Sequence, residues 1–252
     1  MSRPPNQDVW LILGASSAVA RAFARAVAAE GGALLLAGRD LEDIERSAAD
    51  LRARGAHVDV LPFDAADFVG HGAFAQRCAA ARGADGRLNV FLAFGAMPDQ
   101  AVIDAQPLLI VDTVTANFTG AASVLTHLAP ILEVQGSGRV VALTSVAGDR
   151  GRLKNYVYGA AKAGLNAYLQ GLRARLFRAG VTVTTVKAGF LDTAMTFGLP
   201  GMFLVASPED CAAACLRHAA KGREVVYFPF FWFGIMTIIR AIPERIFKRL
   251  SI

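Results

Sequence analysis

Apolar and polar positions alternate in blocks along this chain, with short apolar runs followed by longer Ala-rich segments of amphipathic character. The segments between the apolar runs predict helices, such as Ala18 to Ala29, which the glycine pair Gly31-Gly32 would end. The apolar runs predict strands near Val9 to Leu13, Ala33 to Ala37, Val58 to Leu61, Leu88 to Ala93, Gly138 to Thr144, Val181 to Val186 and Glu224 to Tyr227.

This alternation is typical of successive βαβ units on a parallel sheet. We therefore predict an α/β protein with a single doubly wound Rossmann-type domain, about seven mostly parallel strands and helices on both faces. The chain has 252 residues and no linker-like tract, so residues 1–252 are predicted to form one dinucleotide-binding domain. Residues 228–252 form an apolar and basic C-terminal extension within it.

Composition excludes several classes of function. The net charge is +5, but Lys and Arg are dispersed, which argues against nucleic-acid binding. Cys78, Cys211 and Cys215 are too few and too scattered for a disulfide framework, which fits a reducing compartment. We interpret the last two as small buried apolar residues rather than zinc ligands, and we predict no metal site. The first residues lack the pattern of a signal peptide, so we expect a cytoplasmic protein.

A glycine turn follows the first predicted strand. In "GASSAVA", Gly14 precedes Ser16, Ser17 and Ala18, and the first helix begins there. A helix N-terminus attracts a pyrophosphate through its free N–H groups and its dipole. A tight turn without a ligand would need the same glycine, so this signal alone is weak.

The second predicted strand ends in "AGRD". Arg39 lies where an adenosine ribose would arrive, and a guanidinium grips a 2′-phosphate well, which favours NADP(H) over the alternative, NAD(H). An exposed surface arginine is the competing interpretation. Asp40 is a second candidate for the ribose, although helix capping explains it without any cofactor.

The strongest signal is "TSVAGDRGRLKNYVYGAAKAG" at residues 144 to 164. Tyr158 and Lys162 lie four apart on a predicted helix and therefore project from one face. An adjacent ammonium is expected to lower the pKa of the phenol towards neutrality, which would suit it to acid–base catalysis. Ser145 ends the fifth strand, where its hydroxyl can bind a substrate carbonyl.

With these residues the chain resembles the short-chain dehydrogenase/reductase family along nearly its whole length. The resemblance implies that Tyr158 is the acid/base, that Ser145 orients the carbonyl, and that Lys162 binds the nicotinamide ribose and tunes Tyr158. Asn117, in "TANFTG", matches the fourth catalytic position and would hold a water in a proton relay. Local turn bonding is the alternative role for Asn117.

The same resemblance implies that Asp64 reaches the adenine, that Ala93 lines the cofactor and that Thr193 touches the nicotinamide carboxamide. Local capping is again the alternative for Asp64. The chain also departs from the family pattern: Ala18 and Ala20 replace glycines, residues 93–96 read Ala-Phe-Gly-Ala in place of Asn-Asn-Ala-Gly, and Ala188 replaces a proline.

The end of the chain is unusually apolar. Residues 225–239 carry no charge but are too few to span a bilayer, and the basic, amphipathic "RAIPERIFKRLSI" follows them. This pattern favours peripheral contact with an anionic membrane, here the inner face of the plasma membrane, while an oligomer interface or a cap on the core is the alternative. Residues 193–206 are also apolar and are predicted to form a mobile lid over the substrate.

Within the family, "AFG" at 93–95, "AGDRGRLKNYVYGAAKAGL" and "IPERIFKRL" resemble the bacterial decaprenylphospho-β-D-erythro-pentofuranosid-2-ulose 2-reductases. That resemblance implies NAD(P)H-dependent reduction of a lipid-linked 2-keto-pentose in cell-wall biogenesis, by an enzyme expected to form a homo-oligomer. One alternative is a reductase of a soluble ketone or 3-ketoacyl substrate. The other is a non-catalytic protein that binds dinucleotide or docks at membranes.

Overall fold

The structure is a computed structural model that describes residues 8–84, 86–198 and 203–250. Four residues of the predicted lid, 199–202, and the last two of the C-terminal extension lie outside the described residues, as do residues 1–7. The strands are β1 (Asp8–Leu13), β2 (Ala33–Gly38), β3 (Val58–Pro62), β4 (Arg87–Leu92), β5 (Gly138–Ser145), β6 (Val181–Ala188) and β7 (Val225–Phe228). The predicted strands are therefore all present, with ends that shift by no more than two residues.

The helices are α1 (Ala18–Ala29), α2 (Leu41–Ala53), α3 (His71–Ala81), α4 (Gln100–Ala105), α5 (Leu109–Val114), α6 (Gly120–Gln135), α7 (Tyr156–Phe177), α8 (Pro208–Ala220), α9 (Trp232–Ala241) and α10 (Glu244–Phe247). A π-helical turn, Thr115–Thr119, joins α5 to α6, and a 3₁₀ turn, Val146–Asp149, follows β5. Helix α1 has the predicted bounds, because Ser17 caps its start and Gly31, with a φ of 79°, turns the chain after its end.

The strands form one sheet in the order β3-β2-β1-β4-β5-β6-β7, and every pairing is parallel. The prediction of a doubly wound α/β sheet is confirmed, and the sheet is parallel throughout rather than mostly so. The order reverses between β1 and β4, which opens a crevice at their carboxyl ends. All seven strands end at the same edge, so the residues that follow them meet there.

Side chains of β1 alternate between two cores, as the pleat of a strand requires. Leu11 and Leu13 face one layer, whose helical residues include Val124 and Leu165. Trp10 and Ile12 face the other. Cys211 and Cys215 of α8 are buried in that second layer, in agreement with their interpretation as apolar residues.

One helical stretch of the described chain, Leu109–Gln135, is long and apolar enough to cross a membrane by length and composition. Val124, Leu125 and Leu128 of this stretch pack into the core under the sheet, and that position accounts for their apolar character. Helix α9 has ten residues, fewer than the roughly 17 that a spanning helix needs.

Helix α9 packs its inner side against the end of the sheet. Trp232 and Met236 are buried and form a small third core with Val146, the residue after β5. The indole of Trp232 lies against Gly189, where a Cβ would come within 1.9 Å of its Nε1. The inner side of α9 therefore caps the core, as one of the two alternatives for this segment predicts.

The described part of the predicted lid leaves and rejoins the sheet at adjacent points. Leu191 and Ala206 form an isolated parallel bridge, so the two ends of the excursion between them, whose described residues are 192–198 and 203–205, lie together. At its return, the ring of Phe203 lies 5.5 Å from Trp232 and 5.8 Å from Phe190. The excursion thus packs on α9.

Candidate active site

The turn after β1 brings the backbone close to a neighbouring loop. Gly14 has a φ of 83°, and a Cβ on it would lie 2.7 Å from the Cβ of Phe94, which follows β4. Any other residue would strain the turn and collide with that loop. Gly14 therefore keeps the switch-point crevice narrow, so that a ligand there can contact backbone from both β1 and β4.

Helix α1 begins directly after this turn. The Ser17 hydroxyl oxygen accepts a hydrogen bond from the Ala20 N–H at 3.2 Å, and Ser16 and Ala18 are exposed. The first turn of the helix therefore opens towards solvent at the carboxyl edge of the sheet, where its free N–H groups attract an anion. Ala20, which replaces a family glycine, is buried against the sheet instead.

Arg39 and Asp40 follow β2 and have different surroundings. The Asp40 carboxylate accepts a hydrogen bond from the Asp43 N–H at 3.0 Å and caps α2. The Arg39 guanidinium is exposed and forms no ion pair with any residue that the structure describes. Capping thus accounts for Asp40, and Arg39 remains available to a ligand beside β2.

Asp64 and Thr193 lie at the same edge, after β3 and β6. One carboxylate oxygen of Asp64 accepts a hydrogen bond from the Ala66 N–H at 2.9 Å, and the side chain is exposed. The Thr193 N–H donates to the Thr196 hydroxyl at 3.2 Å, which closes a tight turn. Both residues therefore make local turn contacts, and the Thr193 hydroxyl itself is hydrogen-bonded with that of Thr196 at 3.3 Å. Ala93 is buried just after β4, and its N–H donates to Leu13.

Tyr158 and Lys162 share the inner face of α7 and are both buried, at 7% and 4% exposure. The Lys162 ammonium lies over the Tyr158 ring, 5.6 Å from its centre. The four-residue spacing thus places the two groups side by side, as predicted. The exposed Tyr156, two residues earlier, hydrogen-bonds to Asp104 at the surface instead.

The pKa values of the pair do not follow the sequence-based expectation. Burial raises the pKa of Tyr158 to about 12, and a hydrogen bond with Ser145 opposes that rise. Burial also lowers the pKa of Lys162 to about 8. The expected lowering of the phenol pKa by Lys162 is wrong for the protein alone, because desolvation disfavours the charged form of both groups. The protonated phenol is therefore stabilised at neutral pH.

Ser145 is the last residue of β5 and connects the strand to the 3₁₀ turn. Its hydroxyl oxygen accepts a hydrogen bond from the Ala147 N–H at 3.1 Å. The same hydroxyl is hydrogen-bonded with Tyr158. Ser145 and Tyr158 thus present two hydroxyls next to each other at the edge of the sheet, which suits a carbonyl oxygen.

Asn117 lies in the π-helical turn and is fixed by the loop after β4. Its amide nitrogen donates to the carbonyls of Ala96 at 2.6 Å and Thr113 at 2.8 Å, and its oxygen accepts from the Ala96 N–H. A Cβ on Gly95 would lie 2.5 Å from that oxygen and 3.3 Å from the Lys162 ammonium nitrogen. Such π-turns are frequent at functional sites. Gly95 therefore lets the loop approach both side chains.

A buried ion pair that the sequence analysis missed supports the segment after Ser145. Asp149 accepts hydrogen bonds from the Lys187 ammonium at 2.5 Å and from the Tyr227 hydroxyl at 2.6 Å. These contacts attach the 3₁₀ turn to β6 and β7. The sequence alone does not reveal these contacts. Lys187 and Tyr227 become neighbours only when β6 and β7 pair in the folded sheet.

Arg150, the next residue, ties this segment to the C-terminal helices. Its guanidinium donates to the carbonyls of Ile239 and Ile242, both at 2.6 Å, and lies 3.8 Å from the centre of the Phe247 ring. Its other terminal nitrogen binds the Glu244 carboxylate at 2.9 Å. The C-terminal extension is thus fixed to the segment that carries Ser145.

The residues at this edge fit a nicotinamide dinucleotide. The glycine turn, the open start of α1 and the exposed Arg39 form a path for phosphates and ribose from β1 to β2, and Lys162 lies at the far end beside Asn117. This is the crevice that doubly wound sheets use for such ligands. No group of three or more His, Cys, Asp or Glu residues within the described chain could hold a metal ion.

Comparison with known proteins agrees with this site. A profile of the short-chain dehydrogenase family matches residues 8–200. An uncharacterised oxidoreductase of Streptomyces coelicolor is 37% identical over 254 residues, which cover 100% of this chain and 98% of the relative. An uncharacterised oxidoreductase of Mycobacterium tuberculosis strain H37Rv is 36% identical over 241 residues, which cover 95% and 96%.

Solved structures show the same fold at lower identity. A variant of the actinorhodin polyketide ketoreductase, solved with NADPH, superposes with a TM-score of 0.79 at 20% identity and covers 90% of this chain and 97% of its own. A short-chain dehydrogenase/reductase from Mycobacterium ulcerans gives 0.79 at 19% identity and covers 89% of each chain. The family match over most of the chain, together with its full-length oxidoreductase relatives, shows that this protein belongs to the short-chain dehydrogenase/reductase family of oxidoreductases.

Proposed function

We propose that the protein reduces a ketone to a secondary alcohol with NADP(H), and that its substrate is a 2-keto-pentose linked to a polyprenyl phosphate. The observation that carries the reaction is the buried pair of Tyr158 and Lys162 beside Ser145, at the edge where the dinucleotide site lies. Reduction consumes a proton at the carbonyl oxygen. Burial keeps Tyr158 protonated, so the protein holds its acid in the form that reduction needs.

In this mechanism the Ser145 hydroxyl donates a hydrogen bond to the ketone oxygen and orients it. The bound nicotinamide supplies the hydride. Tyr158 gives its hydroxyl proton to the alkoxide as negative charge develops there. Lys162 holds the nicotinamide ribose, and its ammonium stabilises the phenolate that remains.

Asn117 would take part in the proton relay that returns a proton to Tyr158 after the reduction. Both hydrogens of its amide nitrogen are used by the backbone, so only its oxygens are left to accept a water. Its main-chain carbonyl lies in the π-turn, where regular helical bonding is interrupted. We assign the water of the proton relay to that carbonyl and to the ammonium of Lys162.

The other cofactor contacts follow from the path of the crevice. The pyrophosphate would contact Gly14, Ser16, Ser17 and Ala18. The 2′-phosphate would bind Arg39, which favours NADP(H) over NAD(H). Asp64 would face the adenine, and Ala93 would line the cofactor near the nicotinamide ribose. Thr193 would contact the nicotinamide carboxamide. Every one of these residues stands at the carboxyl edge of the sheet.

Support for a lipid-linked substrate comes from the surroundings of the site. Phe190 and Phe203 pack against Trp232 at the excursion after β6, and Phe197 on the same excursion is exposed. The resemblance of residues 93–95 and of the C-terminal "IPERIFKRL" to the prenyl-linked keto-pentose reductases points the same way. Such a substrate lies at a membrane surface, so we propose a cytoplasmic enzyme that works at the inner face of the plasma membrane. We expect it to form a homo-oligomer.

The substrate class is tested by an NADPH oxidation assay with matched ketones. We expect kcat/KM for a prenyl-phosphate 2-keto-pentose to exceed that for the same keto-pentose phosphate without its lipid by more than about tenfold, since burying two methylene groups contributes ~1.6 kcal/mol. Equal values, or a preference for a 3-ketoacyl thioester, would instead support the soluble-substrate alternative. Oxidation with none of these ketones would favour a non-catalytic protein.

Removal of all residues after Tyr227 is a poor test of the lipid assignment. It would delete Trp232 and Met236 from the core and leave Arg150 without the carbonyls it binds. Loss of activity on every substrate would then report unfolding. Point variants at exposed positions are the better probe.

Tyr158→Phe tests the proton donor. We expect kcat for ketone reduction to fall about 10²–10⁴-fold, because the phenylalanine lacks the proton that the alkoxide takes. The dissociation constant for NADPH, measured by fluorescence, should change little. Tyr156→Phe removes an exposed hydroxyl two residues away and is the matched control, so near-normal turnover by Tyr158→Phe would refute the assignment.

The pH dependence of activity tests Lys162. Its pKa is lowered by burial to about 8, so the ammonium that holds the cofactor ribose is present below pH 8 and is lost as pH rises through that value. We expect kcat/KM with NADPH as the varied substrate to fall about tenfold per pH unit above pH 8, because this quantity reports groups of the free enzyme. Tyr158 stays protonated throughout that range. A flat profile up to pH 10 would contradict this role of Lys162.

Arg39→Ala tests the choice of cofactor. We expect the KM for NADPH to rise about 10–100-fold, the value of a hydrogen-bonded contact between a guanidinium and a phosphate, and the KM for NADH to stay within about twofold. Arg178→Ala removes an exposed arginine outside the site and serves as the control. Equal increases in the KM values for NADPH and NADH would contradict the assignment of Arg39 to the 2′-phosphate site.

A further inference from the structure

The outer side of α9 is apolar and exposed. Phe230, just before the helix, and Phe233 and Ile238 within it are 84%, 63% and 69% exposed. At about 100° per residue, Ile238 lies on the side of α9 opposite to Trp232 and Met236, whereas Phe233 lies on the flank between the two sides, with its ring 5.6 Å from that of Tyr227. The helix therefore presents large apolar side chains on its outer side as well as on the side that caps the core.

The Thr237 hydroxyl on this outer side is already satisfied within the helix. The Thr237 hydroxyl donates to the Phe233 carbonyl at 2.7 Å. A hydroxyl bonded in this way does not need water, so moving it into an apolar medium does not leave a donor unpaired. Gly234 and Ala241, which share this side, add no polar side chain.

Exposed cations follow the helix. Arg245, Lys248 and Arg249 form no ion pair with any residue in the described part of the chain, and the exposed Ile246 and Leu250 lie between and after them. Glu244 is the single acidic residue of this segment, and Arg150 binds its carboxylate at 2.9 Å. The segment after α9 is thus basic and lacks a free acid of its own.

The two features are held together by Arg150. Its guanidinium binds the carbonyls at the end of α9 and stacks on Phe247 in α10. The start of the basic segment is therefore fixed at the C-terminal end of the apolar helix. Large apolar side chains next to unpaired cations are the combination found in proteins that rest on membrane surfaces.

We propose that one surface of the C-terminal extension docks on a membrane that contains anionic lipid. This outer C-terminal surface consists of Phe230, Phe233, Ile238, Arg245, Lys248 and Arg249. The apolar side chains enter the interface between headgroups and acyl chains. The cations contact lipid phosphates. This proposal goes beyond the proposed reaction and does not depend on the identity of the ketone.

Charge complementarity favours lipid over a second copy of this chain. A two-fold contact places the same surface on both subunits. Both copies of the surface would then bring the same three cations and no free acid to pair with them, because Glu244, the nearby acid, is already bound by Arg150. Lipid phosphates supply the missing negative charge.

Vesicle flotation with the full chain, without substrate or cofactor, tests the proposal. We expect the protein to float with vesicles of equal parts phosphatidylcholine and phosphatidylglycerol, to float weakly with phosphatidylcholine alone, and to lose binding as salt is raised. No flotation with the mixed vesicles, or equal flotation with both kinds, would overturn the proposal.

Variants of the apolar side chains separate a specific surface from general stickiness. We expect the double variant Phe230→Ser and Phe233→Ser to bind mixed vesicles at least about tenfold more weakly. Phe177→Ser, in the last turn of α7, replaces another phenylalanine that is 77% exposed and is the matched control. Equal losses in both proteins would overturn the assignment to this surface.

Variants of the cations test the electrostatic part. Arg245→Gln with Lys248→Gln should weaken binding to mixed vesicles about 30-fold, since each cation near an anionic surface contributes about fivefold. Arg178→Gln with Lys221→Gln changes the net charge equally at exposed positions elsewhere and should have little effect. Equal weakening by both pairs would show that only total charge matters, which would contradict the proposal.

Two further measurements distinguish the remaining outcomes. If light scattering shows that Phe230→Ser with Phe233→Ser turns an oligomer into a monomer while the unchanged protein ignores vesicles, the surface is a subunit interface and the proposal is wrong. NADPH oxidation with a soluble ketone should be the same in all these variants. Failure of vesicle binding with that activity intact would therefore leave the proposed reaction standing.

Discussion

The structure depends on keeping two ionisable groups out of water side by side. Tyr158 and Lys162 are buried on one face of α7, and burial moves their pKa values in opposite directions, to about 12 and about 8. A buried ammonium costs free energy unless polar groups surround it. The Asn117 oxygen and the Gly95 backbone come close to it only because residue 95 has no side chain. The packing of the β4 loop on the π-turn is thus the support that this pair requires.

Patterns that repeat locally were enough to predict the fold. Strands β1 and β2 are apolar runs that parallel packing buries on both faces, and α1 carries its own start and stop signals at Ser17 and Gly31. The Tyr158 and Lys162 pair was also predictable, because a four-residue spacing fixes a shared helical face without any knowledge of the fold. These predictions use information that lies within one turn or one strand.

Other parts of the site depend on contacts between distant segments, and sequence patterns did not reveal them. The pKa of Tyr158 is set by burial, which only the packed structure defines, and spacing alone predicted the wrong direction. Asp149 meets Lys187 and Tyr227 from two other strands, and its side chain is 4% exposed. Removing one partner of such a buried pair typically costs 3–5 kcal/mol. The contact therefore ties the segment after Ser145 firmly to β6 and β7.

The departures from the family pattern also have a local physical basis. Ala18 is exposed at the start of α1, where a methyl group can be accommodated, whereas Gly14 has a left-handed φ and no room for a side chain beside Phe94. The contacts of Asp149 and Arg150 link the strand end that carries Ser145 to the C-terminal helices. Asp149 attaches the segment after Ser145 to β6 and β7, and Arg150 binds the end of α9. A displacement of α9 would therefore be transmitted to the strand end that carries Ser145 through the contacts of these few side chains. The apolar extension is in this way part of the support of the active site, whatever its outer side contacts.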